Sequence, residues 1–184
     1  MKLLRALLID HDDSFTQNVR SWLSEQFEIT LIHHKKIADD HNQLNYDLIV
    51  LSPGPKSALD YPDSLKFLSE VSHSQPILGI CLGMQMMTLA CDGAVKTYKP
   101  PRHGKTSQLD SKDQKINGLT VGRYHSLACH LKDNTFQVIA SSESLPMWIQ
   151  HTSKKWMGFQ FHPESFLTEN PEVYLNHICD WIKK

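Results

Sequence analysis

Pro76-Ile77-Leu78-Gly79-Ile80-Cys81-Leu82-Gly83-Met84-Gln85-Met86-Met87 is the stretch on which the fold turns. Its first five residues form an apolar run of strand length, and Gly79-Ile80-Cys81-Leu82-Gly83 then supplies a tight turn. Met84, Met86, Met87, Leu89 and Ala90 continue as a helix. A strand that is apolar at every position is buried on both faces, which is the habit of a parallel sheet covered by helices.

The same alternation extends upstream. Leu3 to Ile9 is an apolar strand that stops at Asp10-His11-Asp12-Asp13-Ser14, where Asp12, Asp13 and Ser14 all suit a helix N-cap, and Phe15, Val19, Trp22 and Leu23 follow at helical spacing. Ile29 to Ile32 reads as a second strand. Asp47 to Leu51 reads as a third, ending in the breaker run Ser52-Pro53-Gly54-Pro55. Leu65, Phe67, Leu68 and Val71 mark a helix after Tyr61-Pro62-Asp63.

Beyond about Gly93 the texture becomes β-rich, with strand-like segments at Thr120–Tyr124, Phe136–Ser141, Met147–Gln150 and Met157–Phe161, and an amphipathic helix over Val173–Ile182. The expected fold is α/β, with a mostly parallel central sheet, helices on both faces and an antiparallel extension. No linker, repeat or low-complexity tract interrupts residues 1–184, so a single domain is expected.

Composition narrows the function classes. The 184 residues are 40% hydrophobic and 21% charged, and no apolar run approaches the roughly 20 residues needed to span a bilayer. The first nine residues hold Lys2 and Arg5 within a short apolar stretch that no small-residue cleavage site follows, so a cytoplasmic protein is expected. Nineteen basic against 20 acidic residues leave a net charge of -1, which gives no electrostatic reason to expect nucleic acid or a membrane as partner. Cys81, Cys91, Cys129 and Cys179 form no CxxC pair, so neither a zinc site nor a disulfide framework is indicated; no metal and no cofactor are expected.

Gly-x-Cys-x-Gly between strand and helix is a nucleophile elbow with cysteine in the serine position. The flanking glycines permit the turn, and the helix N-terminal amides that follow favour negative charge at the exposed side chain. Gln85 lies one helical turn beyond Cys81 and is expected to face the same pocket, where its amide can orient a polar substrate. A cysteine nucleophile needs a base. Among eleven histidines, His162 stands out because Pro163 follows it and Glu164 comes next. Proline keeps the segment extended, so His162 and Glu164 project to one side as base and orienter.

Gly79 to Gln85, together with Gln160-Phe161-His162-Pro163-Glu164-Ser165, resembles the class I (triad) glutamine amidotransferases, whose flavodoxin-like α/β fold agrees with the pattern above. Asp10 to Phe15, Leu51 to Pro55, His103-Gly104-Lys105-Thr106-Ser107 and Arg123-Tyr124-His125-Ser126-Leu127 resemble the small subunits of anthranilate synthase and aminodeoxychorismate (para-aminobenzoate) synthase. The resemblance spans essentially the whole chain. It implies a catalytic triad of Cys81, His162 and Glu164, in which Cys81 attacks L-glutamine to form a thioester with loss of ammonia and water then frees glutamate. It also implies an oxyanion held by the amides of Leu82 and Gly54, and glutamine held by Gln85 and by the main chain at Ser126 and Leu127.

The implied partner is a chorismate-binding synthase subunit in a heteromeric complex, contacted through Asp12, Asp13, Ser14, His103, Gly104 and Lys105. The branch, tryptophan or folate, is not decided by the residues, with a slight lean to 4-amino-4-deoxychorismate as product.

Two departures from the family pattern stand out. Lys56 follows Pro55 where another glycine is usual, which leaves it either pointing into solvent or narrowing the rim of the oxyanion loop. His11-Asp12 replaces the more common Asn-Tyr, a change expected to bear on the partner surface more than on catalysis. The basic run His33-His34-Lys35-Lys36 reads as a solvated loop, and Trp22, Trp148, Trp156 and Trp181 as core. Two rival functions fit the residues less well. A receiver-like signalling domain would need a phosphate-accepting aspartate where Ser52 stands, and a catalytically silent partner-binding subunit would leave Cys81, His162 and Glu164 unexplained.

Overall fold

The computed structural model describes residues 3–37 and 45–184; Met1 and Lys2 lie outside the described residues. Eight strands form the main sheet. In chain order its parallel part comprises β1 (Leu4–Asp10), β2 (Phe27–His33), β3 (Leu48–Leu51), β4 (Ile77–Ile80) and β12 (Trp156–Phe159). Beside β12 run β11 (Leu145–His151), β10 (Phe136–Ser142) and the short β7 (Asp110–Ser111), each antiparallel to its neighbour. The spatial order is β2-β1-β3-β4-β12-β11-β10-β7, the expected parallel sheet with an antiparallel extension.

Strand residues alternate between two cores. Ala6, Leu8, Leu48, Val50, Leu78, Ile80, Met157 and Phe159 face helices α1 (Thr16–Leu23) and α4 (Pro171–Lys183), packing on Trp22, Leu23, Tyr174, Ile178 and Trp181. Leu7, Ile9, Ile49, Leu51, Ile77 and Trp156 face α2 (Pro62–Glu70) and α3 (Leu82–Ala90), against Phe67, Leu68, Leu82, Met86 and Met87. This period of two explains why β3, β4 and β12, buried at every position, carry no polar residue, whereas β2 at the sheet edge keeps Glu28 and Thr30. All four tryptophans are buried, as expected.

Helix α3 lies unusually close to the sheet. A Cβ on Gly79 would sit 2.5 Å from the Gly83 carbonyl carbon, and one on Gly83 would sit 2.5 Å from the Leu51 carbonyl oxygen. Both positions are therefore closed to any side chain, and the two glycines bring the helix N-terminus directly over the ends of β3 and β4.

The later strands depart from expectation. Thr120–Tyr124 does not join the antiparallel extension: β8 (Thr120–Arg123) pairs with β6 (Lys105–Gln108) in a separate ribbon, and β5 (Ala94–Thr97) pairs with β9 (Leu127–His130) in another. The first ribbon is tied to the main sheet where the His162 amide donates to the Gly122 carbonyl, 3.0 Å. Helix α1 also begins later than its polar residues suggest, with Phe15 at the N-cap and no side-chain cap. Asp13 instead accepts the Phe15 amide at 2.7 Å, so residues 12–14 form a loop beyond β1. No helix among the described residues is long and apolar enough to cross a membrane.

Candidate active site

The site residues gather at the carboxyl ends of the parallel strands, where open α/β sheets place their ligands. Cys81 follows β4, His162 and Glu164 follow β12, and Gly54 follows β3. The Cys81 amide donates to the Phe159 carbonyl at 2.7 Å, which carries the pairing of β4 with β12 to the last residue and brings the two segments together. Cys81 has φ 51° and ψ -96°, a strained conformation for a residue with a side chain. Such strain persists only where surrounding structure over-determines it. Here the close approach of α3 to the sheet leaves the chain no gentler path from strand to helix.

His162 and Glu164 are paired as their spacing implied. Nδ1 of His162 lies 2.7 Å from Oε1 of Glu164, and the two side chains are 3% and 0% exposed. With Nδ1–H donating to the carboxylate, Nε2 is the free ring nitrogen; it is buried and among the described residues has no hydrogen-bond partner of ordinary geometry. Burial by itself would lower the imidazole pKa. The charge of Glu164, together with the contacts to Cys81 and Glu164, outweighs it and raises the pKa well above 6.5. The ring is built to hold a proton taken from the thiol.

Three further residues complete this surround, and the sequence assigned none of them a role. Phe15 and Tyr124 enclose the imidazole edge-on, at ring-centroid distances of 5.0 and 4.9 Å. Gln160 places Nε2 3.6 Å from the Cys81 sulfur and accepts the Cys129 thiol on Oε1 at 3.5 Å. Cys129 itself is fully buried, and burial pushes its thiol up to about 12, which leaves it inert beside Cys81. Phe15, Tyr124 and Gln160 each sit inside a motif, but nothing in their spacing reveals a common target.

Gly54 and Leu82 are brought face to face. A Cβ on Gly54 would lie 2.1 Å from Leu82 Cδ2 and 3.1 Å from His11 Cβ, so its bareness is enforced by protein packing. His11 is fully buried beneath this loop. It lies 3.1 and 3.0 Å from the hydroxyls of Ser52 and Ser64 through its two ring nitrogens, and its carbonyl accepts Tyr61 Oη–H at 3.0 Å. Burial and the neighbouring His34 lower its pKa to about 3, so it is a neutral strut. The expectation that His11 bears on the partner surface is thereby corrected: it supports the Ser52–Gly54 turn. Lys56 is exposed, which answers the first of the two orientations open to it.

Gln85 is 3% exposed, and its side-chain amide has no hydrogen-bond partner among the described residues. Ser126 and Leu127 are held by a polar network. The Tyr98 amide donates to Ser126 O at 2.8 Å, and Nδ1–H of His125 donates to Leu127 O at 2.8 Å. Nε2 of His125 accepts from Arg123 Nε at 3.0 Å. Arg123, fully buried, reaches Glu143 at 2.8 Å, and Tyr98 Oη–H donates to the same carboxylate at 2.7 Å. Burial and the Arg123 charge lower His125 to about 4, while Tyr98 and Arg123 hold Glu143 down at about 2.

The residues expected to meet a partner are split in sequence but adjacent in space. Asp12 and Ser14 are exposed and Asp13 half-buried; His103, Gly104 and Lys105 are all exposed. Tyr124 links the two groups, with its ring 4.7 Å from that of Phe15 and 3.8 Å from where a Gly104 Cβ would stand.

A buried cysteine at a strained strand-to-helix turn, beside an imidazole–carboxylate pair, is the equipment of a thiol-dependent acyl transferase. The glutamine amidotransferase class-I family matches residues 7–181, and the chain belongs to it. It is 35% identical to anthranilate synthase component II of Haloarcula marismortui, over 90% of this chain and 86% of that protein. It is 34% identical to anthranilate synthase component 2 of Methanocaldococcus jannaschii, over 100% and 98%. A solved glutamine amidotransferase of Thermotoga maritima superposes with TM-score 0.75 at 18% identity, covering 100% of this chain and 97% of that one. A solved protein of Thermoplasma acidophilum, described as part of a GMP synthase, gives TM-score 0.82 at 23% identity, over 100% and 96%.

Proposed function

We propose that this glutamine amidotransferase is the glutaminase subunit of a chorismate-aminating synthase, with Cys81 as nucleophile, His162 as base and Glu164 as orienter. The observation that carries the reading is the buried His162–Glu164 pair, whose unpartnered Nε2 is the atom a thiol proton needs.

The steps balance on these groups. The Cys81 proton passes to His162 Nε2, and the sulfur adds to the side-chain carbonyl carbon of glutamine. Leu82 N–H, at the start of α3, and Gly54 N–H, packed against Leu82, stabilise the resulting oxyanion; one such donor is worth about 3 kcal/mol of barrier. His162 then returns the proton to the departing nitrogen, which leaves as ammonia, and a γ-glutamyl thioester remains on Cys81. Water attacks the thioester with His162 taking its proton, and the thiol is restored as glutamate leaves. Gln85 and the main chain at Ser126 and Leu127 hold the α-amino and carboxylate end. The chain is read as one domain acting in the cytoplasm.

The partner reading rests on the relatives, which are named as anthranilate synthase components, and on the exposed Asp12, Ser14, His103, Gly104 and Lys105 with the half-buried Asp13 beside the site. Those names tilt the branch toward anthranilate, against the slight lean toward 4-amino-4-deoxychorismate. Co-purification from native extract identifies the synthase subunit that travels with the chain. With that subunit, Cys81→Ser abolishes glutamine-dependent product while ammonium salt still supports it; retained glutamine dependence overturns the nucleophile assignment.

A further inference from the structure

The run His33-His34-Lys35-Lys36 is not the solvated loop its charge suggests, because His34 is 7% exposed and packs inward. Its ring stacks on His11 at 5.7 Å and meets Tyr61 edge-on at 4.9 Å. Strand pairing sets Asp10 beside His33, so the loop after β1 lies against the end of β2. Asp12, with φ 61°, donates its amide to Asp10 Oδ1 at 3.0 Å and turns its carboxylate back on both histidines. Oδ1 lies 2.9 Å from His33 Nε2, and Oδ2 lies 3.5 Å from His34 Nε2. One donor atom from each of the three residues fits within 4.8 Å of the other two.

We propose that Asp12, His33 and His34 form a binding site for a divalent transition metal of the zinc class. Ligands at about 2.0–2.1 Å in a tetrahedron stand about 3.3 Å apart, and the two carboxylate-to-imidazole spans bracket that separation. Two imidazoles and one carboxylate suit zinc, cobalt, nickel or copper better than magnesium or calcium. A second observation points the same way. The His34 side chain is 9% exposed, and among the described residues its Nδ1 has no partner and its Nε2 has only the 3.5 Å approach to Asp12, so the ring is poorly satisfied by them alone.

Asp10 and Asp13 add negative charge nearby, against Lys35 and Lys36. The exposed side of Asp12 leaves a fourth position for water. His33 Nδ1 accepts the Lys35 amide over a long 3.3 Å, so coordination through Nε2 moves the ring proton to Nδ1 and gives up that one contact. The cluster reaches the oxyanion loop through His11, yet the site stands independently of the glutaminase reading.

The test is titration of the metal-free full chain with Co2+ and Zn2+, in wild type and in Cys81→Ala, which removes the competing thiol. One equivalent of Co2+ is expected in both, with imidazole-type absorption and no thiolate-to-metal band. Asp12→Asn and His33→Gln, both at solvent-accessible positions, are each expected to weaken binding about tenfold or more. Their metal-free melting curves establish that the fold is intact. No stoichiometric binding in wild type, or unchanged affinity in both variants, overturns the site; binding that disappears with Cys81→Ala does so too.

Discussion

Replacing Glu164 with glutamine isolates the charge of the triad from its shape. The carboxylate is completely buried and accepts from His162 Nδ1 at 2.7 Å, a bond that a glutamine Oε1 can reproduce, so the tautomer with Nε2 free is preserved. What is lost is the negative charge facing an imidazolium that forms during reaction. A hydrogen bond to a charged group contributes about 1.5–3 kcal/mol against about 0.5–1.5 for a neutral one, and the buried imidazolium loses its counter-ion as well. About 3 kcal/mol of added barrier is about 150-fold in kcat/KM.

The pH dependence supplies a second signature. Glu164 is the strongest influence raising the His162 pKa, so without it the limb on which activity falls as the imidazolium deprotonates moves to lower pH. Stability falls as well, because the imidazolium loses its counter-ion and the new amide N–H2 stands where Oε2 has no hydrogen-bond partner among the described residues; a melting curve separates that loss from the kinetic one. The assay follows glutamate release over a range of pH by the chain in complex with its synthase partner, with ammonia-dependent product as internal control. A Glu164→Gln enzyme within about threefold of wild type, with an unmoved pH limb, refutes the reasoning.

Gly83→Ala puts a methyl 2.5 Å from the Leu51 carbonyl oxygen and 2.8 Å from Leu51 Cβ. Backbone cannot swing aside as a side chain does, so thermal unfolding is expected to show a loss of about 3 kcal/mol, or about 6–12 °C in Tm. His11 and His125, held neutral down to about pH 3 and 4, take up protons only on unfolding, so stability falls as pH drops from about 6 toward 4. The two together contribute a slope of up to about 2.7 kcal/mol per pH unit, while His162 is protonated in both states there and adds nothing. Urea titrations of His11→Asn should show that slope reduced by about half. Glu143→Gln releases Arg123 and Tyr98 from their shared acceptor and loosens the segment at Ser126 and Leu127, so KM for glutamine is expected to rise more than kcat falls.

The fold was legible in the sequence wherever a local rule acts. Apolar runs with no polar positions mark strands buried on both faces, and the two-sided core of Leu7 and Ile9 against Ala6 and Leu8 is what they describe. The elbow was legible because a strained turn needs glycine on both sides of Cys81. His162 and Glu164 were legible as a pair from their spacing about Pro163, but the structure corrects the extended segment expected there to a turn, closed by Ser165 N–H donating to His162 O at 3.2 Å, which brings the two side chains together.

Only the tertiary structure decided what lies between distant segments. The ribbons of β5 with β9 and of β6 with β8 depend on pairing between segments well separated along the chain, which short polar strands do not announce. Phe15, Tyr124 and Gln160 became a cage for the triad, and Glu143 a clamp on Arg123, through contacts that no periodicity encodes. His11 changed from a surface residue to a buried strut, and His34 from a solvated charge to a ring packed on it, because burial depends on which helix and loop close over a strand end. Residue type and local spacing determine the nucleophile, the base and the strands; the environment of each, and so its charge state and partners, exists only once the chain has folded.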